Sequence, residues 1–182
     1  DIQVESQYGK GTTFTVQIEQ RIIEEETVGD VSVASRVEKE DERKAKLQSF
    51  TAPEYHVLLV DDNAMNRKVA STMLKFYNFK IAEASSGKAA IERVKLVKYD
   101  MILMDHMMPE MDGVEATKII RSECGENGTE PVIVALTANA LQGAKEMYLA
   151  NGFDDFLSKP FDREQLHELL ERLIPDEKRI KA

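Results

Sequence analysis

From Tyr55 onward, short apolar runs alternate with amphipathic stretches, and this alternation restricts the chain to folds built from βαβ units around a parallel sheet. The runs His56–Val60 (HVLLV), Lys80–Glu83, Met101–Met104 (MILM), Val132–Leu136 (VIVAL) and Asp155–Leu157 predict five strands. Helical periodicity falls between and after them, over about 64–77, 87–97, 112–122, 139–151 and 162–173. The expected architecture is therefore an α/β (βα)5 unit. The first and third strands are apolar on both faces, which places them centrally under helices on either side. In such a sheet, ligands gather beyond the carboxyl ends of the strands.

Length and charge narrow the function classes. The 182 residues suit one domain of ordinary size with a smaller remainder. Hydrophobic residues make up 42% and charged residues 31%, and no apolar run approaches the ~20 residues of a membrane span. A net charge of -9 and a pI near 5.0 give no general attraction to phosphate backbones or anionic lipid, so neither nucleic acid nor membrane is an expected partner. Cys124 is the single cysteine, which rules out an intramolecular disulfide and fits a reducing, cytoplasmic setting; its polar surroundings hold no His or Cys for a metal. The opening DIQVESQYGK has neither an initiator Met nor a secretory layout and reads as part of a longer protein, whose parent could still be membrane-anchored.

Composition divides the chain into segments. Residues 1–23 contain the alternating run TTFTVQIEQRII behind Gly9-Lys10-Gly11, a hairpin-sized piece too small for a core of its own. Residues 24–53 turn to mixed charge and predict a linker with a helical turn or two through Val37–Leu47. Residues 54–175 carry the (βα)5 pattern, and 176–182 form a tail.

The chemistry lies in the residues just past the end of each strand: Asp61 and Asp62 after the first, Asp105 after the third, Thr137 after the fourth, and Ser158, Lys159 and Pro160 after the fifth. Three carboxylates at one sheet edge repel one another, which raises their pKa values unless a cation neutralises them. Oxygen donors without a Cys or His cluster favour a hard ion such as Mg²⁺, with Mn²⁺ as a substitute. Singly, an acid after a strand is explained by helix N-capping, and Asn63 or Asp62 suits the cap of the first helix. Capping does not account for a Lys and a Thr at the same rim.

The segments LLVDDNAMNRKVA, MILMDHMMPEMDG, VIVALTANA and DDFLSKPF resemble, in order and spacing, the successive signatures of response-regulator receiver domains, over about residues 55–174. Their wording is most similar to receivers attached to hybrid histidine kinases. The resemblance implies a flavodoxin-like, doubly wound sheet of strand order 2-1-3-4-5 and a two-component or phosphorelay function. It makes Asp105 the acceptor of a phosphoryl group from phosphohistidine. Asp61, Asp62, Asp105 and the backbone carbonyl of Met107 would hold Mg²⁺. Lys159, aimed by a cis bond to Pro160, would pair with a phosphoryl oxygen, and Thr137 would donate its hydroxyl to that group. Phe156 takes the place of a switching aromatic that turns inward with Thr137. The partner implied is the phosphoacceptor domain of a histidine kinase or a histidine phosphotransfer protein.

His106 is itself a tempting phosphoacceptor, but strand alternation points it away from Asp105. The opening VESQYGKGTTFTVQI resembles the last strands of a histidine-kinase ATP-binding domain, through Gly9, Gly11, Thr12, Thr13 and Phe14. That likeness implies a hybrid sensor-kinase parent. Without the phosphoacceptor helix and the nucleotide-binding segments, the chain itself is expected to promote its own aspartyl phosphorylation but no ATP-dependent autophosphorylation. The competing reading is a non-catalytic docking module on the same fold; a transcription factor is not expected, since only PDEKRIKA follows Ile174.

Overall fold

The computed structural model describes residues 2–7, 9, 11–17, 50–125, 130–138 and 144–181. Two compact units divide at Lys39. In the first, β1 (Ile2–Gln7) and β2 (Gly11–Val16) form an antiparallel hairpin. Gly9 and Gly11 take positive φ of 80° and 110°, which glycine adopts without steric cost. Ile2 lies opposite Val16 and Val4 opposite Phe14, and all four are exposed. The expected linker helix at 37–47 lies outside the described residues.

The second unit contains the five expected parallel strands: β4 (His56–Val60), β5 (Lys80–Ala84), β6 (Met101–Asp105), β7 (Val132–Thr137) and β8 (Asp155–Ser158). Their spatial order is β5-β4-β6-β7-β8, the order 2-1-3-4-5 of a flavodoxin-like sheet. The helices are α1 (Ala64–Leu74, continued by a 3₁₀ turn Lys75–Tyr77), α2 (Gly87–Leu96), α3 (Gly113–Gly125), α4 (Ala144–Ala150) and α5 (Arg163–Leu173). Residues 139–143 of the expected fourth helix lie outside the described residues.

Period-two alternation explains why the central strands are apolar throughout. Val57, Leu59, Met101 and Leu103 face α1 and α5, where Ala70, Leu74, Leu166, Leu169 and Leu170 complete one core layer. Leu58, Val60, Ile102 and Met104 face the opposite layer, built by Ala90 and Ile91 of α2, Ala116 and Ile120 of α3, and Tyr148 of α4. Local chemistry fixes the helix starts: Asn63 caps α1, Ser86 caps α2, and Asp162 with Gln165 forms a capping box on α5.

The unit extends past the expected boundaries at 53 and 176. Phe50–Thr51 forms a strand, β3, paired antiparallel with β9 (Ile180–Lys181), and Pro175 leads into a 3₁₀ turn over Asp176–Lys178. Phe50 and Ala52 are buried in the α1/α5 layer. The Phe50 ring lies 5.2 Å from Tyr77 and 5.9 Å from His167, and the Tyr77 hydroxyl is 3.0 Å from His167 Nδ1. Burial pushes the Tyr77 phenol up to about 12, so it stays protonated for this bond. A single aromatic at the end of a charged stretch carries no periodicity, which is why composition assigned it to the linker.

Phe50→Ala is expected to destabilise the unit by about 3–5 kcal/mol, as truncation of a buried Phe does, whereas Thr51→Ala should stay within about 0.5 kcal/mol. Denaturant unfolding of both variants checks this, and equal effects would return Phe50 to the linker.

Candidate functional site

The carboxyl ends of β4, β6, β7 and β8 meet at one edge. The register sets Val60 beside Met104, Asp105 beside Leu136 and Thr137 beside Ser158, so the residues just past these positions share a rim. Oxygens of Asp61, Asp62 and Asp105 all lie within 4.8 Å of one another, and among the described residues this is the grouping able to hold a metal ion. Asp61 and Asp105 are buried while Asp62 is exposed. Lys159 reaches in from the end of β8, its Nζ 2.5 Å from Asp61 Oδ2 and 2.9 Å from Asp105 Oδ1. The Lys159-Pro160 bond is cis.

Asp105 feels opposing influences. Desolvation by burial raises its pKa above the ordinary 3.8, and the charge of Asp61 adds to this. The Lys159 ammonium, by hydrogen bond and charge, and the Met107 amide pull it down without cancelling the rise. One ammonium among three carboxylates leaves two negative charges uncompensated, and the donors are all oxygen. This set fits a hard divalent cation.

The capping question is resolved by geometry. Asn63, not Asp62, accepts from the Met65 amide to cap α1, which leaves the Asp62 side chain at the rim. Asp61 is held by donors that sequence reasoning missed. Its Oδ1 accepts from the Asn63 amide at 2.8 Å, and Asn66 Nδ2 donates to both carboxylate oxygens at 3.2 Å. Arg67 donates to the backbone carbonyls of Asp61 and Asp62, at 2.7 and 3.2 Å, while also pairing with Glu83. The available signal was position: residues 66 and 67 lie in the first turn of the helix just past the acids.

The loop after Asp105 is shaped by a close approach. A Cβ on Gly113 would lie 2.2 Å from the Asp105 carbonyl oxygen, and the Gly113 amide donates to the His106 carbonyl at 2.9 Å. Glycine is the residue that fits there. Met107, whose carbonyl was expected to face a metal, has an exposed side chain, and its amide donates to Asp105 Oδ1 at 3.4 Å. Thr137 is buried at the end of β7, and its Oγ1 accepts from the Tyr148 hydroxyl at 2.7 Å. Phe156 is half-buried and stacks on Tyr148 at 5.8 Å. His106 turns its ring onto Tyr148 as well, with Nδ1 2.9 Å from the hydroxyl. Tyr148 itself was not singled out in the sequence, where it reads as one apolar position of a helix.

Beside the acids, Leu59, Val69, Ala70, Leu136, Pro160 and Phe161 border a cavity of about 270 Å³ that reaches Asp61 and Lys159. Val69 also belongs to a shallow apolar patch with Met65, Met73 and Phe76, and Arg163 stacks over the Phe76 ring at 3.5 Å.

The raised pKa of Asp105 makes stability depend on pH. A carboxyl with a native pKa above its unfolded value binds its proton more tightly when folded, so native stability falls as pH rises through that interval and stays reduced above it. Without divalent cation, Asp105→Asn should therefore unfold at a higher midpoint than the parent at pH 7. The advantage should shrink toward zero as pH falls below 3.8. Thermal unfolding at both pH values in chelator measures it.

Comparison with known proteins places this site in context. A sequence profile described as "Response regulator receiver domain" aligns with residues 57–171. Hybrid signal transduction histidine kinase M of Dictyostelium discoideum is 41% identical over 121 residues, covering 65% of this chain and 5% of the kinase. The chain spans less than a quarter of the length of the curated relatives it matches first. Among solved structures, the receiver domain of sensor histidine kinase PA1611 from Pseudomonas aeruginosa PAO1, with a magnesium ion in its active-site cleft, is 42% identical. It has a TM-score of 0.59 and covers 66% of this chain and 97% of that one. The receiver domain of Ssk1 from Saccharomyces cerevisiae, solved with the histidine phosphotransfer protein Ypd1, is 31% identical with a TM-score of 0.60, covering 68% and 88%. With the profile spanning more than half of the chain and the strand order agreeing, the chain belongs to the response regulator receiver domain family.

Proposed function

We propose that this receiver accepts a phosphoryl group from phosphohistidine onto Asp105 in a Mg²⁺-dependent reaction, as one step of a two-component phosphorelay. The observation that carries the reading is the placement of the Asp105 carboxylate 2.9 Å from the Lys159 ammonium and within 4.8 Å of the oxygens of Asp61 and Asp62. A docking module has no use for a buried acid held between an ammonium and two further carboxylates.

In the transfer, an Asp105 carboxylate oxygen attacks phosphorus and forms the acyl P–O bond as the P–N bond to the donor imidazole breaks. The imidazole nitrogen leaves with the bonding electron pair and takes a proton from solvent. A carboxylate is a weak nucleophile, so positioning and charge neutralisation supply the acceleration. Asp61, Asp62, Asp105 and the Met107 carbonyl would hold Mg²⁺, or Mn²⁺ in its place. When bound, the cation neutralises the phosphoryl oxygens against the acids. Lys159 pairs with a phosphoryl oxygen as a compact point charge. Thr137 donates its hydroxyl to the phosphoryl group, and Phe156 moves with it.

The partner is a protein bearing the phosphohistidine, either a kinase phosphoacceptor domain or a histidine phosphotransfer protein. The exposed Met65, Val69 and Phe76 on the α1 side of the site suit its docking, and the Ssk1 receiver, solved with Ypd1, supports that class of partner. The hairpin β1–β2, with Ile2, Val4, Phe14 and Val16 exposed, suits the closing strands of a kinase ATP-binding domain, and the parent is then a hybrid sensor kinase.

Intact-mass analysis after incubation with a small phosphodonor and Mg²⁺ should show one added phosphoryl group. The gain should vanish in Asp105→Asn and with chelator, and Lys159→Gln should slow it by about 100-fold, the scale set by removing one charge-stabilising donor. A gain that survives Asp105→Asn sinks the assignment. Val69→Glu should separate docking from chemistry, slowing transfer from a phosphohistidine protein at least about tenfold, as loss of one apolar interface anchor does. Uptake from the small phosphodonor should be retained.

A further inference from the structure

The second core layer contains a polar chain of which the proposed transfer uses only the Thr137 end. Tyr148, on α4, is 1% exposed and contacts three rings: Phe153 edge-on at 5.5 Å, Phe156 stacked at 5.8 Å and His106 edge-on at 5.3 Å. Its hydroxyl lies between Thr137 Oγ1 at 2.7 Å and His106 Nδ1 at 2.9 Å. The ring is gripped on several sides, so the hydroxyl is a fixed point rather than a mobile rotor.

Counting hydrogens gives this chain a direction. A phenol has one hydrogen to donate, and it goes to Thr137 Oγ1. The contact with His106 must then run the other way, with Nδ1–H donating to the phenol oxygen. Both backbone groups of His106 are engaged elsewhere, its amide with the Leu136 carbonyl and its carbonyl with the Gly113 amide, so the ring is held by the same turn that comes after Asp105. Thr137 Oγ1 has received a hydrogen on the Tyr148 side, and its own hydrogen has to leave the oxygen in another direction. Consecutive bonds of this kind polarise one another and strengthen the last donor.

We propose that Tyr148, anchored by His106, is a positioning residue that orients the Thr137 hydroxyl as donor toward the phosphoryl group on Asp105. The inference rests on the proposed phosphoryl acceptance at Asp105. It makes His106 a support for the reaction through Tyr148, not an acceptor, and gives α4 a direct polar link to the rim.

Tyr148→Phe keeps the ring and its packing and removes only the hydroxyl. With a small phosphodonor and Mg²⁺, phosphoryl uptake should slow roughly two- to tenfold, the equivalent of one oriented hydrogen bond. Mg²⁺ affinity, measured by titration, should be unaltered, because no metal-holding group has moved. In a Thr137→Val background, Tyr148→Phe should add no further loss. Unchanged or faster uptake in Tyr148→Phe overturns the inference while leaving acceptance at Asp105 intact, as does an undiminished loss in the Thr137→Val background. An arm free of phosphorylation is NMR of the unphosphorylated chain. His106 Nδ1 should carry a hydrogen and the Thr137 methyl should report one rotamer, both lost in Tyr148→Phe. If the unmodified chain takes up no phosphoryl group, the acceptor reading fails, and this arm alone decides whether Tyr148 orients Thr137; a Thr137 methyl unaffected by Tyr148→Phe overturns it.

Discussion

The Lys159 ammonium between Asp61 and Asp105 is the interaction on which the site depends. Two buried carboxylates on adjacent central strands are unfavourable in a low-dielectric setting, and removing one partner of such an arrangement leaves an uncompensated charge. Lys159 makes the pair tolerable without neutralising it fully, and burial together with the charge of Asp61 still holds the Asp105 pKa above its ordinary value. A site balanced in this way is stable enough to fold and still short of positive charge. It therefore suits a divalent cation, which in the proposed transfer would offset the charge of the phosphoryl oxygens.

The fold exists to bring those three residues together. Asp61 and Lys159 are 98 positions apart in sequence, and Asp105 lies between them on the central strand β6. Parallel register puts the carboxyl ends of β4, β6 and β8 at the same edge, and register is enforced because a one-residue slip would exchange the two buried faces of each strand. The apolar layers on both sides thus determine charge geometry at the rim: Val57 and Leu59 facing one layer, Leu58 and Val60 the other, deliver Asp61 to its position.

Much of this was legible in the sequence because it is written in periodicity. The five strands come from short apolar runs separated by helical patterns, their spatial order from the receiver resemblance, and the rim residues are those standing directly after each run. The features that were not legible lack a period. Phe50 is one ring at the end of a charged segment, and only the pairing of β3 with β9 and the rings of Tyr77 and His167 make it core. Asn66 and Arg67 look like the polar face of an ordinary helix until the acids they hold are in place. Tyr148 occupies an apolar helix position, and its hydroxyl gains meaning only from Thr137 and His106, neither of which is near it in sequence.

Helix α1 shows how position and recognition become inseparable. Its Ala70 and Leu74 are buried against the sheet, its first turn supplies Asn66 and Arg67 to the acids, and its outer side exposes Met65 and Val69. A donor protein docked on that outer side would rest on the same element that orients Asp61. Since a helix clamped by a packed face moves as a body, binding geometry and acid geometry are fixed together. In the proposed transfer, an acceptor at the rim would react with any phosphodonor of the right chemistry. Discrimination must therefore come from the surface beside it, and α1 is the surface that cannot shift without moving the site.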